Sequence, residues 1–575
     1  MSSKAHHRLR GVVLAVALGL PASGQANSLA GDYLAARQAT YSGDYKAAAE
    51  YYGKVIMFDP SNGELLERAV LSNISLGEFE RAVPLADRMT EQGMASQIAY
   101  MAQMAGHAKA ENYTDVLKQI SDSKGVGPLV DGLAKAWAEL GRGDMSAALV
   151  QFDEVAKSDG LAAFAAYHKA LALASVGDFE GAEAIFAANA AGGMQLTRRG
   201  VMARAEILSQ LEQNPDAVTL IEESFSADID PGLSEMRARL VAGETLTFTH
   251  VRSARDGLAE VFYTLAGALS NEQNDDFTLM YARVAEYLRP DHVDALLLSA
   301  ELLEKLEQYD LAVQTFKKVP RDVPTYYAAE LGRAGALRLS GKVDAAVEVL
   351  EQLAETHGNL PVVQSTLGDV MRQLERFDDA VTAYSAAIDT FDTPDQAQWF
   401  LYYARGIAHE RLDRWELSEA DFRKALELNP EQPQVLNYLG YSLVEKQEKL
   451  DEALTMIERA VAAQPDQGYI VDSLGWALYR LGRYDEAVGH MEHAAELMAV
   501  DPVVNDHLGD VYWAVGRKLE ARFQWRRALS FVDLEQMTEE ADPKRIRRKL
   551  EVGLDLVLSE EGAPPLKVAT ETDGN

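Results

Sequence analysis

The 575 residues contain no cysteine. That excludes disulfides and thiolate chemistry. It also excludes the lipid-bearing Cys that a bacterial lipoprotein carries just behind its signal core. Positive charge is scarce: 55 Lys and Arg stand against 89 Asp and Glu, a formal net charge of −34. Such a chain stays soluble and repels nucleic acid and anionic lipid, with most of its acids on solvated helix faces. Long apolar runs are missing beyond the first residues, so no transmembrane segment is expected. Extended runs of β-branched residues are missing too. Alanine and leucine are abundant and 47% of residues are apolar, a composition that leans helical and folded. No HExxH, GxSxG or phosphate loop occurs. Gly341-Lys342 lacks the upstream glycine, and Gly125-Val126-Gly127-Pro128 lacks the third glycine and a preceding strand.

What is present begins with an export signal. Lys4, Arg8 and Arg10 precede the short apolar run GVVLAVALGL (11–20), followed by PASGQA with Gly24 and Ala26 at the −3 and −1 places. This predicts a Sec-type signal peptide over 1–26, cleaved before Asn27. Removing those three cations leaves 52 Lys and Arg against 89 acids, a net charge of −37 for the mature chain. The expected location is the periplasm, either free or beside the outer membrane, without a lipid anchor.

The chain is too long for one core, so domains or repeats are expected. SLGWALYRLGRYDEAV (473–488) has echoes in TLGDVMRQLERFDDAV from Thr366, AGALRLSGKVDAAV from Ala334 and AELLEKLEQYDLAV from Ala300. An aromatic or apolar residue precedes a fixed alanine by three: Tyr484/Ala487, Phe377/Ala380, Val343/Ala346, Tyr309/Ala312. A large residue follows four later, at Met491, Tyr384, Leu350 and Phe316. These residues resemble the tetratricopeptide repeat, a helix pair of 34 residues. Unit starts fall at 29, 63, 97, 129, 163, 197, 259, 293, 327, 361, 399, 433, 468 and 502.

The resemblance implies an all-α fold: a right-handed superhelical solenoid of about 14 helix hairpins, with one irregular break and a C-terminal capping helix. One unit cannot bury its apolar face alone, whereas stacked units can. The expected organisation is a signal peptide (1–26), an N-terminal repeat block (27–230), an irregular insert (231–258), a C-terminal repeat block (259–530), a capping segment (531–558) and a disordered tail (559–575). In the insert, Thr245, Thr247 and Thr249 alternate with Leu246 and Phe248, which reads as a short hairpin or extended loop. Asp542-Pro543 reads as the cap and first turn of a terminal helix.

The resemblance also implies a concave groove lined by the first helix of each unit. Transferred residue by residue, the groove positions are Phe400, Tyr403, Glu410 and Arg411; Gln434, Asn437, Tyr441 and Glu445; Tyr469, Asp472, Trp476, Tyr479 and Arg480; and Asp506, Asp510 and Trp513. Aromatics beside polar groups are typical anchors of recognition surfaces. Within the family's carboxylate clamp, Asn437 fits one amide position but Asp472 and Asp506 replace the next two. A basic or neutral aromatic-rich peptide is therefore expected.

Two apparent reactive clusters fail on spacing. Asp506, His507 and Asp510 look like a triad, but adjacent helical residues diverge by about 100°, so Asp506 cannot orient His507. His490 and His493 lie three apart on a helix and read as surface histidines, so no metal or cofactor is expected. Arg517, Lys518, Arg522, Arg526 and Arg527, with five further cations between 544 and 549, form a local basic reversal. It is either an anion-binding or membrane-apposed end, a patch for an acidic partner, or charge satisfied within the fold.

The expectation is a non-catalytic binding scaffold in the bacterial envelope. The pattern GYIVDSLGWALYRLGRY…NDHLGDVYWAVGRK…RFQWRRAL is similar to envelope repeat proteins that act as adaptors of C-terminal processing proteases. The rivals are a bridge in outer-membrane assembly or polysaccharide export machinery, and an enzyme or ligand-binding site in the insert using His250, Arg252 or Asp256.

Overall fold

The computed structural model describes residues 26–191, 196–225, 230–270, 274–391, 393–532 and 541–566. Those residues hold 31 α-helices and no β-strand. Helix pairs begin at 26, 63, 97, 128, 162, 198, 254, 293, 326, 361, 399, 433, 468 and 502, and each pair is named below by that number. Three further helices stand outside the pairing: Pro231–Val241, Pro543–Val552 and Leu554–Glu560.

The repeat is written in the backbone as well as in the side chains. The turn between the two helices of a pair places one residue in the left-handed region, as at Gly77, Glu111, Gly341, Glu375, Gln447, Gly482 and Gly516. That residue lets the second helix fold back antiparallel. Within a pair, a glycine of the first helix makes room for a large residue of the second. A Cβ on Gly475 would lie 2.4 Å from Met491 Sδ, and one on Gly509 would lie 2.4 Å from Trp525 Cδ1. Ala487, Met491, Ala494, Ala521, Trp525 and Ala528 are all fully buried.

The chain divides into two compact units, 1–349 and 350–575. In the first, pair 254 packs against the first helices of pairs 63, 97, 128 and 162. Gly257 approaches Trp137 so closely that a Cβ would sit 2.2 Å from its ring. Tyr287 stacks on Phe79 with ring centroids 4.3 Å apart, and Lys109 Nζ donates to the Tyr287 carbonyl at 2.6 Å. Arg283, almost fully buried, donates from Nε to the Ser75 carbonyl at 3.2 Å. The inner face of these early repeats is thus filled by a later segment of the same chain.

The expected irregular insert is partly helical. Pro231–Val241 is an α-helix whose cap, Asp230, accepts from the backbone N–H groups of Gly232 and Leu233. The Thr-alternating stretch forms no strand pair. It lies extended along the first helix of pair 198, whose side chains satisfy its backbone: Leu246 N–H donates to Ser209 Oγ and Thr249 N–H to Glu206. Alternation signals an extended chain with two unlike faces, and here a helix supplies the partners that a neighbouring strand would otherwise supply.

The capping segment is two helices broken at Gly553, which has φ of 86° and passes against Trp513. Helix continues to Glu560, so the expected tail begins later than 559; residues 567–575 lie outside the described set. The signal segment 1–25 lies outside it too. No described helix is long and apolar enough to cross a membrane.

Candidate functional site: a groove along pairs 399 to 502

In the second unit, the first helices of pairs 399, 433, 468 and 502 line a cavity of about 650 Å³. Asn437, Tyr441, Tyr469 and Asp472 line it as the sequence predicts, together with Glu410, Arg411 and Glu445. Tyr469 is 42% exposed. Tyr438, which sequence reasoning passed over, also lines the wall and donates its hydroxyl to Glu410 Oε2 at 2.6 Å. Asn437 is buried, and its Oδ1 has no hydrogen-bond partner among the described residues. An unmet buried acceptor costs roughly 1–3 kcal/mol.

Other predicted groove residues are spent on packing. Phe400 is partly exposed at the edge against Trp399, and Tyr403 packs on Trp399, Phe422 and Tyr438. Trp476 is sandwiched between Tyr479 and His507, with centroids 4.8 and 3.9 Å away, and its Nε1 donates to Glu445 at 2.9 Å. Tyr479 is buried. Asp506 and Asp510 do not reach the groove at all. Both are buried, and Lys549 of the terminal helix donates to each at 2.7 Å. Asp510 also accepts from Trp525 Nε1, and Trp513 is buried with its Nε1 donating to Asp555 at 2.9 Å. For Asp506, Asp510 and Trp513 the reason is shared: the terminal helices occupy the groove positions of pair 502. Burial raises the Asp506 carboxyl above its usual range although Lys549 opposes it, and Asp510 adds to the rise.

His507 lines the groove, and the carboxylate that orients it is not Asp506 but one from the neighbouring pair. Asp472 Oδ2 accepts a hydrogen bond from His507 Nδ1–H at 3.1 Å. Residue 5 of one unit and residue 6 of the next face each other across adjacent first helices, a 35-residue spacing that counting within one unit misses. Burial disfavours the imidazolium, but Asp472 outweighs it through charge and hydrogen bond, so the pKa is raised. Among the described residues, the hydrogen bonds of the His507 ring are made through Nδ1.

The basic reversal is largely satisfied inside the fold. Arg517 pairs with Glu492 at 2.8 Å and with Glu520. Lys518 and Arg522 lie over the Trp513 ring, Arg522 donates to the Leu550 carbonyl, and Arg527 donates to the Ala499 carbonyl at 2.9 Å. Arg526 is exposed.

A second cavity, of about 410 Å³, lies in the first unit and is lined by Tyr167, Arg199, Glu260, Tyr263 and Asp294 among others. Its polar floor is internally matched. Arg199 pairs with Glu260 at 2.9 Å and Asp294 at 2.8 Å, while Tyr167 and His292 contact Glu260. Burial works against Glu260 ionising, yet Arg199 and then His292 hold its carboxyl well below the usual range. The insert residues proposed for chemistry are likewise paired: His250 Nδ1 with Glu206 at 3.1 Å and Arg252 Nε with Asp256 at 2.8 Å. Each bond ties the insert to a helix, which is a structural role. No three metal-ligating side chains converge among the described residues.

Family models for the tetratricopeptide repeat match residues 366–433, 403–467 and 443–499, and a further one matches 294–326. The chain is 27% identical over 185 residues to the TPR repeat-containing protein PA4667 of Pseudomonas aeruginosa, covering 32% of this chain and 31% of that protein. It is 23% identical over 241 residues to the aspartyl/asparaginyl beta-hydroxylase of Mus musculus, covering 39% of this chain and 32% of that one. The chain thus spans about a third of the length of these curated relatives. Among solved structures, the APC/C hetero-tetramer Cut9–Hcn1 aligns over 92% of this chain and 97% of that chain at 15% identity, with a TM-score of 0.36. From the helix pairing, the glycine-to-large-residue contacts and the family matches together, the chain carries tetratricopeptide repeats, in residues 294–326 and 366–499.

Proposed function

We propose that the protein is a non-catalytic scaffold that holds an extended segment of a protein partner in the groove of pairs 399 to 502. The observation that carries this reading is Asn437: a buried carboxamide oxygen with no partner, on the wall of an aromatic-lined groove. A peptide backbone N–H is the group that would satisfy it, and Tyr441 and Tyr469 offer flat faces for the side chains beside it. The leader at 1–26 supports export, and the C-terminal pattern supports an envelope adaptor that delivers substrates to a C-terminal processing protease. The groove reading does not depend on that choice of partner.

Crosslinking of the mature protein in periplasmic extract, followed by mass spectrometry, tests it. Asn437→Ala with Tyr469→Ala should abolish the main crosslinked product while leaving the thermal melt near that of the parent. Retention of the product would place the binding surface elsewhere. Trp476 and Tyr479 are poor probes, because their loss would unpack pair 468. The same preparation should carry Asn27 as its first residue.

A further inference from the structure

This inference rests on the groove reading above and names the chemistry of the occupant. Two acceptors in the groove stand open to a ligand. Asn437 Oδ1 is one unmet acceptor. His507 supplies a second: its Nδ1–H is committed to Asp472, so the neutral ring keeps its lone pair on Nε2. Both residues are more than nine-tenths buried, and both line the same cavity.

The charge of the wall agrees. Glu410, Asp413, Glu445, Asp472 and Asp501 line the groove against only two permanent cations, Arg411 and Lys446. Lys446 sits over the Trp415 ring at 4.8 Å. Glu410 accepts from the neutral hydroxyls of Tyr438 and Ser442, which leaves its charge in place. A carboxylate-bearing ligand would meet two unmet acceptors and a surplus of like charge. A donor-rich, cationic one would meet partners throughout.

We propose that the groove takes an extended segment bearing lysine or arginine, with its N–H groups accepted by Asn437 Oδ1 and His507 Nε2, and that protonation of His507 releases it. Protonation turns Nε2 from acceptor to donor and adds a positive charge to the wall. The charged groups around His507 define the switch. Asp472 faces it from pair 468, and Asp506 and Asp510 lie on its own helix. Lys549 and Arg545 of the terminal helix are already matched to those last two. Asp472, the one carboxylate hydrogen-bonded to the ring, contributes most to stabilising the imidazolium; Asp506, Asp510 and the stacked Trp476 face add to it. Asp472 moves the release to a pH above that at which an ordinary histidine titrates.

A random peptide library displayed on phage, panned on the full mature protein at about pH 8 and counter-selected on the Asn437→Ala/Tyr469→Ala variant, tests this directly. Groove-dependent binders should be enriched in lysine and arginine over aspartate and glutamate. The consensus peptide should bind about five- to tenfold more weakly at pH 6 than at pH 8. His507→Gln should bring that ratio close to one, and Asp472→Asn should move the step to lower pH. NMR titration of His507 in the unaltered protein gives a readout that needs no variant: bound peptide must lower the pKa of His507, because the coupling is reciprocal. An acidic or C-terminal-carboxylate consensus would overturn this inference and leave the groove reading standing. So would an affinity indifferent to pH, or a His507 pKa unmoved by peptide. Failure to enrich any groove-dependent binder would overturn both.

Discussion

At the scale of single residues, the turns between paired helices are the most regular feature of the chain and the least uniform in composition. Glycine takes the left-handed position at Gly77, Gly341, Gly482 and Gly516, but Glu111, Glu212, Glu307, Glu375, Asp413 and Gln447 take it elsewhere, with φ between 56° and 61°. An L-residue there costs about 1–2 kcal/mol, part of which glycine gives back through its freer unfolded chain. Glu375→Gly should therefore stabilise the second unit by about 0.5–1 kcal/mol, seen as a higher urea midpoint with an unchanged slope. A lower midpoint would show that the Glu375 side chain contributes more than its backbone strain costs. The groove residues were legible in part. Asn437, Tyr441, Tyr469 and Asp472 fall where helix periodicity puts them. The partnership of Asp472 with His507 was hidden because it crosses from one unit to the next, and the loss of Asp506 and Asp510 from the groove was hidden because the residue that claims them, Lys549, is about forty positions away.

At the scale of elements, helix boundaries were the most legible part of the fold. Most expected unit starts coincide with a helix start or lie next to one, since the small-residue and aromatic positions that define the repeat also define where helices meet. The exceptions are 29, where the described helix already runs from Ala26, and 259, where the helix begins at Ala254 because Ser253 caps it by accepting from Asp256 N–H. The terminal helices make a strong claim of their own. Lys549 is fully buried between Asp506 and Asp510. Lys549→Met keeps the side-chain volume and strands two carboxylates, so it should cost about 3–5 kcal/mol and loosen pair 502. Adding Asp506→Asn and Asp510→Asn should recover most of that loss; hydrogen exchange in Pro502–Ala514 would report both.

The buried ion network of pair 254 makes a pH prediction with the opposite partner sign. Glu260 in the folded chain ionises well below its unfolded value because Arg199 and His292 overcome the penalty of burial. The stability it contributes is therefore present above the unfolded carboxylate pKa, about 4.3, and is lost as pH falls through the lower folded value. The melting temperature of the first unit should fall steeply below about pH 4. Glu260→Gln should be less stable than the parent at pH 7 and show a shallower acid limb. Parallel acid limbs in the two proteins would remove Glu260 from the account.

At the scale of the whole chain, composition and period announced an all-helical repeat array without revealing that, within the first unit, a later pair packs back on earlier ones. Each pair buries its own crossing, so the repeat motif predicts contacts between neighbours in sequence. Nothing in that motif says that pair 254 will fill the inner face of pairs 63 to 162. That depends on the surface left by four earlier units together, and only Gly257, whose missing Cβ admits the Trp137 ring, carries a visible trace of it. The arrangement has a consequence for biogenesis. A simple repeat array is self-sufficient as soon as each unit leaves the ribosome or the export channel, because its stabilising neighbour is the unit just made. Here the residues that cover Trp137 are synthesised 120 positions after it, so the early repeats must wait with their inner faces wet until pair 254 arrives. The first half of the molecule matures by filling a space already waiting for it, and the interval before that arrival is when a holding chaperone has something to hold.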